Sequence, residues 1–395
     1  MAMIETAAQS LLDATQAILP LVRAGGDQGE RERRLPAHVA RAMAEAGICR
    51  MLVPRAVGGL EVDPITQLDV IEALAHAEAS AGWVAQVYSS CSHITGFMAP
   101  EVGWEMFGRN PNAIISGTLA APYGRATVVD GGYRVTGRWP YGSGCQNSDY
   151  LAFTTGVYLG DEPRIDRFGL AEQRIVVVPS STAIIHDTWR VSGLRGTGSH
   201  DIELQDAFVP EAWTMWWTDT VPHAGPLYKH RWWLLAHGAQ RLGVARAMID
   251  AVYDLAQVKT PTRQTNLIRD RAITQMQFAQ AEAICSAAKA FLWDTTRKLW
   301  EKTSAGEAAT MKDLALARLA STNASVGAAE VANLMFSAAG GTAISTSSPI
   351  ERLFRDAHAA AAHATASIPT YEQWGRVLIH PDPESLPRQP GPPLL

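Results

Sequence analysis

Apolar residues recur at helical spacing along both ends of the chain, and a block of alternating, β-branched sequence lies between them. Over 35–106 the positions Val39, Met43, Ala46, Leu68, Ile71, Leu74 and Ala75 mark helical faces, interrupted once at Pro54 and Gly58-Gly59. The first twenty or so residues read as a further amphipathic helix, with Glu5 and Asp13 inside the apolar pattern. Small residues after Glu78 (Ala79, Ser80, Ala81, Gly82) open a helix that leads towards His93. The texture changes over 113–209. There Thr127-Val128-Val129 and Tyr133-Arg134-Val135-Thr136 flank Asp130-Gly131-Gly132, the pattern of a hairpin. Further strands are expected over 150–155, 174–178, 183–186 and 201–209.

Helical periodicity returns after Trp232, with Leu242, Ala245, Met248, Ile249, Val252, Leu255 and Ala256 on one face until Pro261. Two more runs cover about 268–299 and 308–336, the second closed by Gly340-Gly341, and a last helix is expected from Pro349 to about His363. Each apolar stripe must be buried against another, so these helices predict a four-helix bundle. The expected organisation is α+β: an N-terminal helical domain over 1–112, a central β-barrel or sandwich over 113–225, and the bundle over 226–395. Its proline-rich end, 381–395, reads as an extended arm.

Composition narrows the function classes. A chain of 395 residues, 47% hydrophobic and 18% charged, can bury a large core. The formal charge of −5 argues against nucleic acid or an anionic membrane as main partner, since both select a basic face. No run approaches the ~18 apolar residues of a membrane span. Cys49, Cys91, Cys145 and Cys285 are dispersed without a CxxC pair, which suits reduced thiols in a cytoplasm and neither a disulfide framework nor a zinc knuckle. A metal site is not expected: His358 and His363 stand about 140° apart around a helix and cannot share an ion, and no HExxH occurs.

Three segments carry candidate chemistry. The first, 137–145, follows a strand and holds Trp139, Tyr141, Ser143 and Gly144; it can lay an aromatic or backbone surface against a planar ligand, and an irregular turn around a packed Trp explains it as well. The second, 189–200, contains Ser192 and three glycines, but no helix follows, so a nucleotide-fold phosphate loop fails its context. In the third, a helix ends at Gly340-Gly341, a loop with Ser345 and Thr346 follows, and a new helix offers unpaired N–H groups to a ligand or to capping side chains.

In this order and spacing the segments resemble the acyl-CoA dehydrogenase superfamily over about 35–378, and 189–202 is similar to a family signature. The resemblance implies that the β domain and bundle clasp a flavin, with Trp139, Tyr141, Ser143, Gly144, Ser192, Gly340, Gly341, Ser345 and Thr346 as candidate contacts. The family's dehydrogenases carry a Glu base after an Arg-Asp-Ala motif. Here Arg355-Asp356-Ala357 is followed, ungapped, by Ala364 at the matching position, and Glu372 could replace it only through a shift of about eight residues. His363 stands beside the gap. In this the chain resembles the two-component phenol and steroid-phenol hydroxylases and the dibenzothiophene monooxygenase of the same superfamily.

That resemblance implies an oxygenase component that uses reduced flavin and O2, through a C4a-hydroperoxyflavin, to hydroxylate a phenolic, indolic or polycyclic substrate. It assigns His363 to hydroperoxide stabilisation, Ser143 to the flavin N5 or peroxide region, and His93 to substrate contact or acid/base work. The types are suitable, because a neutral His or a Ser hydroxyl can donate to a bound oxygen. The stretch starting at Arg263 keeps the arginine but not the Phe-Gly with which the dehydrogenases hold the adenine half of FAD from a neighbouring subunit. FMN, bound as FMNH2, is therefore expected, with FAD as the alternative, in a homo-oligomer, by resemblance a tetramer. Without the resemblance a surface ion pair accounts for Arg263 equally. Trp213, Trp216, Trp217, Trp232 and Trp233 form core or wall an aromatic pocket. No nicotinamide fingerprint occurs, so a separate NAD(P)H:flavin reductase is expected. An FAD acyl-CoA dehydrogenase using Glu372, an N- or S-oxygenase, and a non-catalytic flavin binder are the competing readings.

Overall fold

The structure, a computed structural model, describes residues 2–217 and 225–386. The N-terminal layer contains α1 (Ala2–Ala24), α2 (Gly26–Glu32), α3 (Ala37–Glu45), α4 (Pro64–Ala77), α5 (Ala79–His93) and a single turn, α6 (Pro100–Gly103). α4 begins where the Asp63 carboxylate accepts the Ile65 and Thr66 N–H groups, with Pro64 in the first turn. One extended residue, Glu78, separates it from α5, and its carboxylate caps the Ser80 N–H. All of α5 except Val87 is buried, despite its serines and glycine. It is the central rod of the molecule, and polar residues along it have to find partners inside. A Cβ on Gly82 would lie 2.5 Å from Ala75 Cα, so α4 and α5 meet backbone to backbone.

The strands are β1 (Ile115–Thr118), β2 (Gly124–Val129), β3 (Gly132–Gly142), β4 (Tyr150–Leu159), β5 (Glu162–Pro163), β6 (Gln173–Pro179), β7 (Ile184–His186), β8 (His200–Pro210) and β9 (Thr214–Met215). They form one mixed sheet in the order β7-β8-β3-β2-β4-β6-β9, with β1 and β5 also paired to β4. The hairpin expected at Asp130-Gly131 forms, with Val129 opposite Gly132 and Gly131 at φ +74°. Ala126, Val135, Phe153, Val176 and Ile202 come from five strands yet share one core, which requires the sheet to curl. The β-barrel or sandwich of the sequence reading is thus a single curled sheet with β7 and β9 at its ends.

The C-terminal helices are α7 (Ala236–Val258), α8 (Ala272–Ser304), α9 (Met311–Ala339), α10 (Pro349–Ala361) and α11 (Pro369–Ile379). A capping box between Thr310 and Asp313 starts α9, and Gly340, at φ +60°, ends it. Leu68 and Ile71 of α4 share a core with Leu242 and Met248 of α7, Leu292 of α8 and Val331 of α9, so the bundle is built on the N-terminal layer as well as on itself. α11 was not expected. Its Trp374 is fully buried against Ala315 and Val377 and anchors the segment. Of the expected extended arm, 383–385 is a 3-10 turn and 387–395 lies outside the described residues. No helix among the described residues is long and apolar enough to cross a membrane.

Candidate active site

One face of α5 carries Trp83, Gln86, Ser90 and His93 at helical spacing. Trp83 Nε1–H donates to Ser143 Oγ at 3.1 Å. The same indole meets the His363 ring edge-on at 5.3 Å and the His237 ring at 5.9 Å, with the Arg241 guanidinium 5.6 Å from its centre. Ser143 comes from the β layer and His363 from the bundle, so a residue of the third layer unites them.

Ser143 sits in a turn set by two left-handed residues, Tyr141 at φ +65° and Gly144 at φ +75°. Gly144 N–H donates to Thr197 O at 2.8 Å, Tyr88 Oη–H donates to Gly144 O, and a Cβ on Gly144 would lie 2.6 Å from Tyr88 Cε1. The protons of the adjoining hydroxyls can be placed one by one. Thr197 Oγ1 donates to Leu194 O at 2.8 Å, which commits its only proton. Ser199 must then donate to Thr197 across 2.7 Å, and Ser143 must donate to Ser199 across 2.6 Å. Towards a ligand Ser143 therefore presents a lone pair. This arrangement favours an acceptor role for Ser143 over the donor role allowed from sequence, because its proton is committed to Ser199.

His363 follows α10 and caps the next 3-10 turn: its Nδ1 accepts the Thr365 N–H and lies 2.7 Å from Thr365 Oγ1. That places the ring proton on Nε2, free to donate. Burial, then the charges of Arg241 and Arg318, pull its pKa to about 4, so it is neutral near pH 7. His237 stacks on it at 4.8 Å and 23°. The Gln86 amide donates to His237 Nε2 at 2.9 Å, leaving a proton on Nδ1, which is buried without a partner. Arg241 donates to Ala360 O and His237 O and so fixes the end of α10 from which His363 projects.

His93 is fully buried roughly 15 Å further along α5 from Trp83, at 1.5 Å per residue. Its Nε2–H donates to Leu227 O at 3.0 Å, so Nδ1 is a bare acceptor, and it has no partner. The ring stacks on Tyr228 at 5.4 Å and meets Phe97 edge-on at 5.5 Å. Burial pulls its pKa to about 4. His93 thus belongs to an aromatic wall with Phe97, Trp217 and Tyr228 and does not touch the Ser143–His363 pair.

Other expected contacts fare differently. Trp139 is a correction: it is fully buried inside the sheet, stacked on Phe153 at 4.5 Å with its Nε1–H on Thr154 O, because the β core needs its volume. Tyr141 is 66% exposed and forms an aromatic corner with Trp189 at 6.3 Å. Ser192, Arg263, Gly340, Gly341, Ser345 and Thr346 are exposed on three separate loops and are not gathered around Ser143. Ser192 O is held by Arg355, Gly193 has no room for a Cβ against Arg355 O, and Asp356 Oδ1 accepts the Leu194 N–H at 2.6 Å. The Arg355-Asp356-Ala357 motif therefore docks the 189–200 loop onto α10. Ala364, where the dehydrogenase base would stand, is exposed and brings no carboxylate.

Sequence reading missed Trp83, Gln86, Thr197, Ser199, His237 and Arg241. Their signal was an aromatic and an amide three apart on a small-residue helix, and a His and an Arg four apart at the start of α7. Two surface clefts of about 320 and 350 Å3 lie elsewhere, one lined by Arg33, Asp187 and His200, the other by Tyr150, Phe208 and Trp213. A reduced flavin presents a broad tricyclic face and carries a donor at N5. A wall at Trp83, an acceptor at Ser143, a donor at His363 and the orphaned polar atoms His237 Nδ1 and Gln86 Oε1 fit such a group.

The known proteins agree. The N-terminal-domain model of the acyl-CoA dehydrogenases matches residues 14–102, and their C-terminal-domain model matches 235–368. An indole-3-acetate monooxygenase of Pseudomonas putida is 32% identical over 377 residues, 94% of each chain. The flavin-dependent monooxygenase oxygenase subunit HsaA of Mycobacterium tuberculosis is 29% identical over 90% of this chain and 92% of its own. A crystal structure of the HsaA monooxygenase from that organism, 28% identical, superposes with a TM-score of 0.84 over 93% of this chain and 96% of that one. XiaF from Streptomyces sp., solved with FADH2 and glycerol, gives 0.86 at 25% identity over 96% and 97%. This chain belongs to the acyl-CoA dehydrogenase superfamily, in its flavin-dependent monooxygenase branch.

Proposed function

We propose that the protein is the oxygenase component of a two-component flavin monooxygenase and hydroxylates an aromatic substrate. The observation that carries this is the Trp83 indole, which places a hydroxyl acceptor and a neutral imidazole donor in one site, with Ala364 where a dehydrogenase would carry its carboxylate base. Reduced flavin, when bound, supplies activated oxygen there. Ser143 would accept a hydrogen bond from that group, and His363 Nε2–H would donate one to oxygen held there. A neutral donor holds oxygen without surrendering a proton to it, which favours transfer over release of hydrogen peroxide. His93 Nδ1, bare and buried, is suited to accept the O–H of a phenol or the N–H of an indole. The names of relatives, indole-3-acetate monooxygenase and p-hydroxyphenylacetate 3-hydroxylase, support an aromatic substrate.

Arg263 supports FMN over FAD only as a phosphate contact supplied by a second copy. Exposed Tyr253, Val258, Ile273 and Met276 flank its turn and favour a subunit contact there, hence a homo-oligomer. A separate reductase delivers the flavin. The test is stopped-flow mixing of the anaerobic FMNH2 and FADH2 complexes with O2, followed by product analysis on phenols and indoles. Ring hydroxylation is expected, with FMNH2 the tighter ligand; reduction of bound flavin by an acyl-CoA in place of it overturns the reading.

A further inference from the structure

Arg318 on α9 is 6% exposed. Its Nη2 donates to Thr365 O at 2.6 Å, beside His363, while Nε and Nη1 are buried with no partner. No carboxylate among the described residues lies within ion-pair distance of it. Burial lowers its pKa only to about 10, so it stays charged near neutral pH. Buried charges are ordinarily paired, because an uncompensated one costs several kcal/mol. Arg241 shows the contrast: its donors end on backbone carbonyls of Ala360 and His237, a structural use.

The surroundings of Arg318 give the missing partner its character. It donates beside His363, its charge is felt at His363, His237 and Arg231, and that of Arg231 at His93, so it lies between the Trp83 end of α5 and the aromatic wall. The wall itself is apolar and ring-shaped: Phe97 meets Trp217 at 5.1 Å, and Arg231 stacks over Trp217 at 5.3 Å. The neighbouring imidazoles are held neutral, so the positive charge offered here is that of guanidinium groups. A guanidinium is also the group best matched to a planar carboxylate.

We infer that Arg318 anchors a carboxylate, and that the substrate is an aromatic acid whose ring lies against the wall containing His93. This rests on the hydroxylation proposed above and adds the substrate's charge to it. The test compares indole-3-acetate and phenylacetate with their neutral amides, indole-3-acetamide and phenylacetamide. Dissociation constants are measured on the full chain with FMNH2 bound, without oxygen. The native protein should bind each acid more tightly than its amide by roughly 10- to 100-fold, the worth of a charge-assisted hydrogen bond. In Arg318→Met that preference should shrink to within a few-fold, with amide and FMNH2 affinities kept; Arg318→Lys should retain part of it.

Equal affinity of the native protein for acid and amide overturns the inference. Equal weakening of acid and amide in Arg318→Met also overturns it and makes the residue structural. Loss of FMNH2 affinity with the acid preference intact reassigns Arg318 to the flavin phosphate. Hydroxylation of neutral aromatics alone would sink the carboxylate site and leave the monooxygenase reading standing. Absence of any aromatic hydroxylation would count against that reading instead, since the binding comparison does not depend on turnover.

Discussion

At the residue scale the task proposed for His363 is a single hydrogen bond to bound oxygen, and removing it should separate binding from coupling. His363→Ala leaves the Trp83–Ser143 hydrogen bond in place, so reduced flavin should still bind. The donor is gone, and the ratio of hydroxylated product to hydrogen peroxide should fall by roughly tenfold, the equivalent of one lost hydrogen bond of about 1.4 kcal/mol. Unchanged coupling would remove His363 from the mechanism. The sequence singles out this residue because it stands beside Ala364, where the dehydrogenases carry a carboxylate, and the structure puts it against Trp83. Its partners were not legible. Trp83, His237 and Arg241 come from helices that are adjacent only after folding, and a tryptophan or arginine on a helix face looks the same in sequence whether it lines a site or fills a core. Trp139 shows the converse: a glycine-flanked aromatic loop suggested a ligand surface, and the volume needed inside a curled sheet decided otherwise.

At the scale of elements, α5 reaches into every layer, and its position depends on Gly82. Gly82→Ala puts a Cβ against the Ala75 backbone, which cannot swing aside as a flexible side chain would. The variant should lose about 1–3 kcal/mol in urea denaturation, and reduced-flavin affinity should fall with it, because the next residue is Trp83. Gly341→Ala is the comparison: no atom lies within 4 Å of its Cβ, so stability should change by less than about 0.5 kcal/mol. A stability loss as large in the second variant as in the first would refute the packing argument. The elements were mostly readable, since long amphipathic periodicity and the Asp130-Gly131 turn are local signals. α11 was not, because its short apolar stripe follows the break at His363 and depends on burying Trp374 against α9.

For the whole molecule, three imidazoles, those of His93 and His237 buried and that of His363 partly so, set an acid limit. His93 and His363 have pKa values near 4 and His237 lies well below its ordinary value, in each case chiefly through burial. The unfolded chain takes up protons near pH 6.5 that the native protein refuses, so their stabilisation is complete above that pH and drains away as pH falls towards 4. Urea midpoints between pH 6 and 4.5 should fall steadily. His237→Asn should flatten that slope by about 1.4 kcal/mol per pH unit, one proton's worth. The buried acids Glu78 and Asp356, whose pKa values are raised, act in the opposite direction in both proteins and cancel in the comparison. The row of hydroxyls from Ser143 to Leu194 O has an electrochemical consequence. Because Asp356 holds Leu194 as the fixed end of the row, Ser143 can greet an N–H but not a bare nitrogen, and a flavin bound there should have a midpoint potential above that of free flavin. Ser199→Ala, which releases the Ser143 proton, should lower that potential in a spectroelectrochemical titration, so that the contact between β layer and bundle acts as a remote adjustment of the flavin's appetite for electrons.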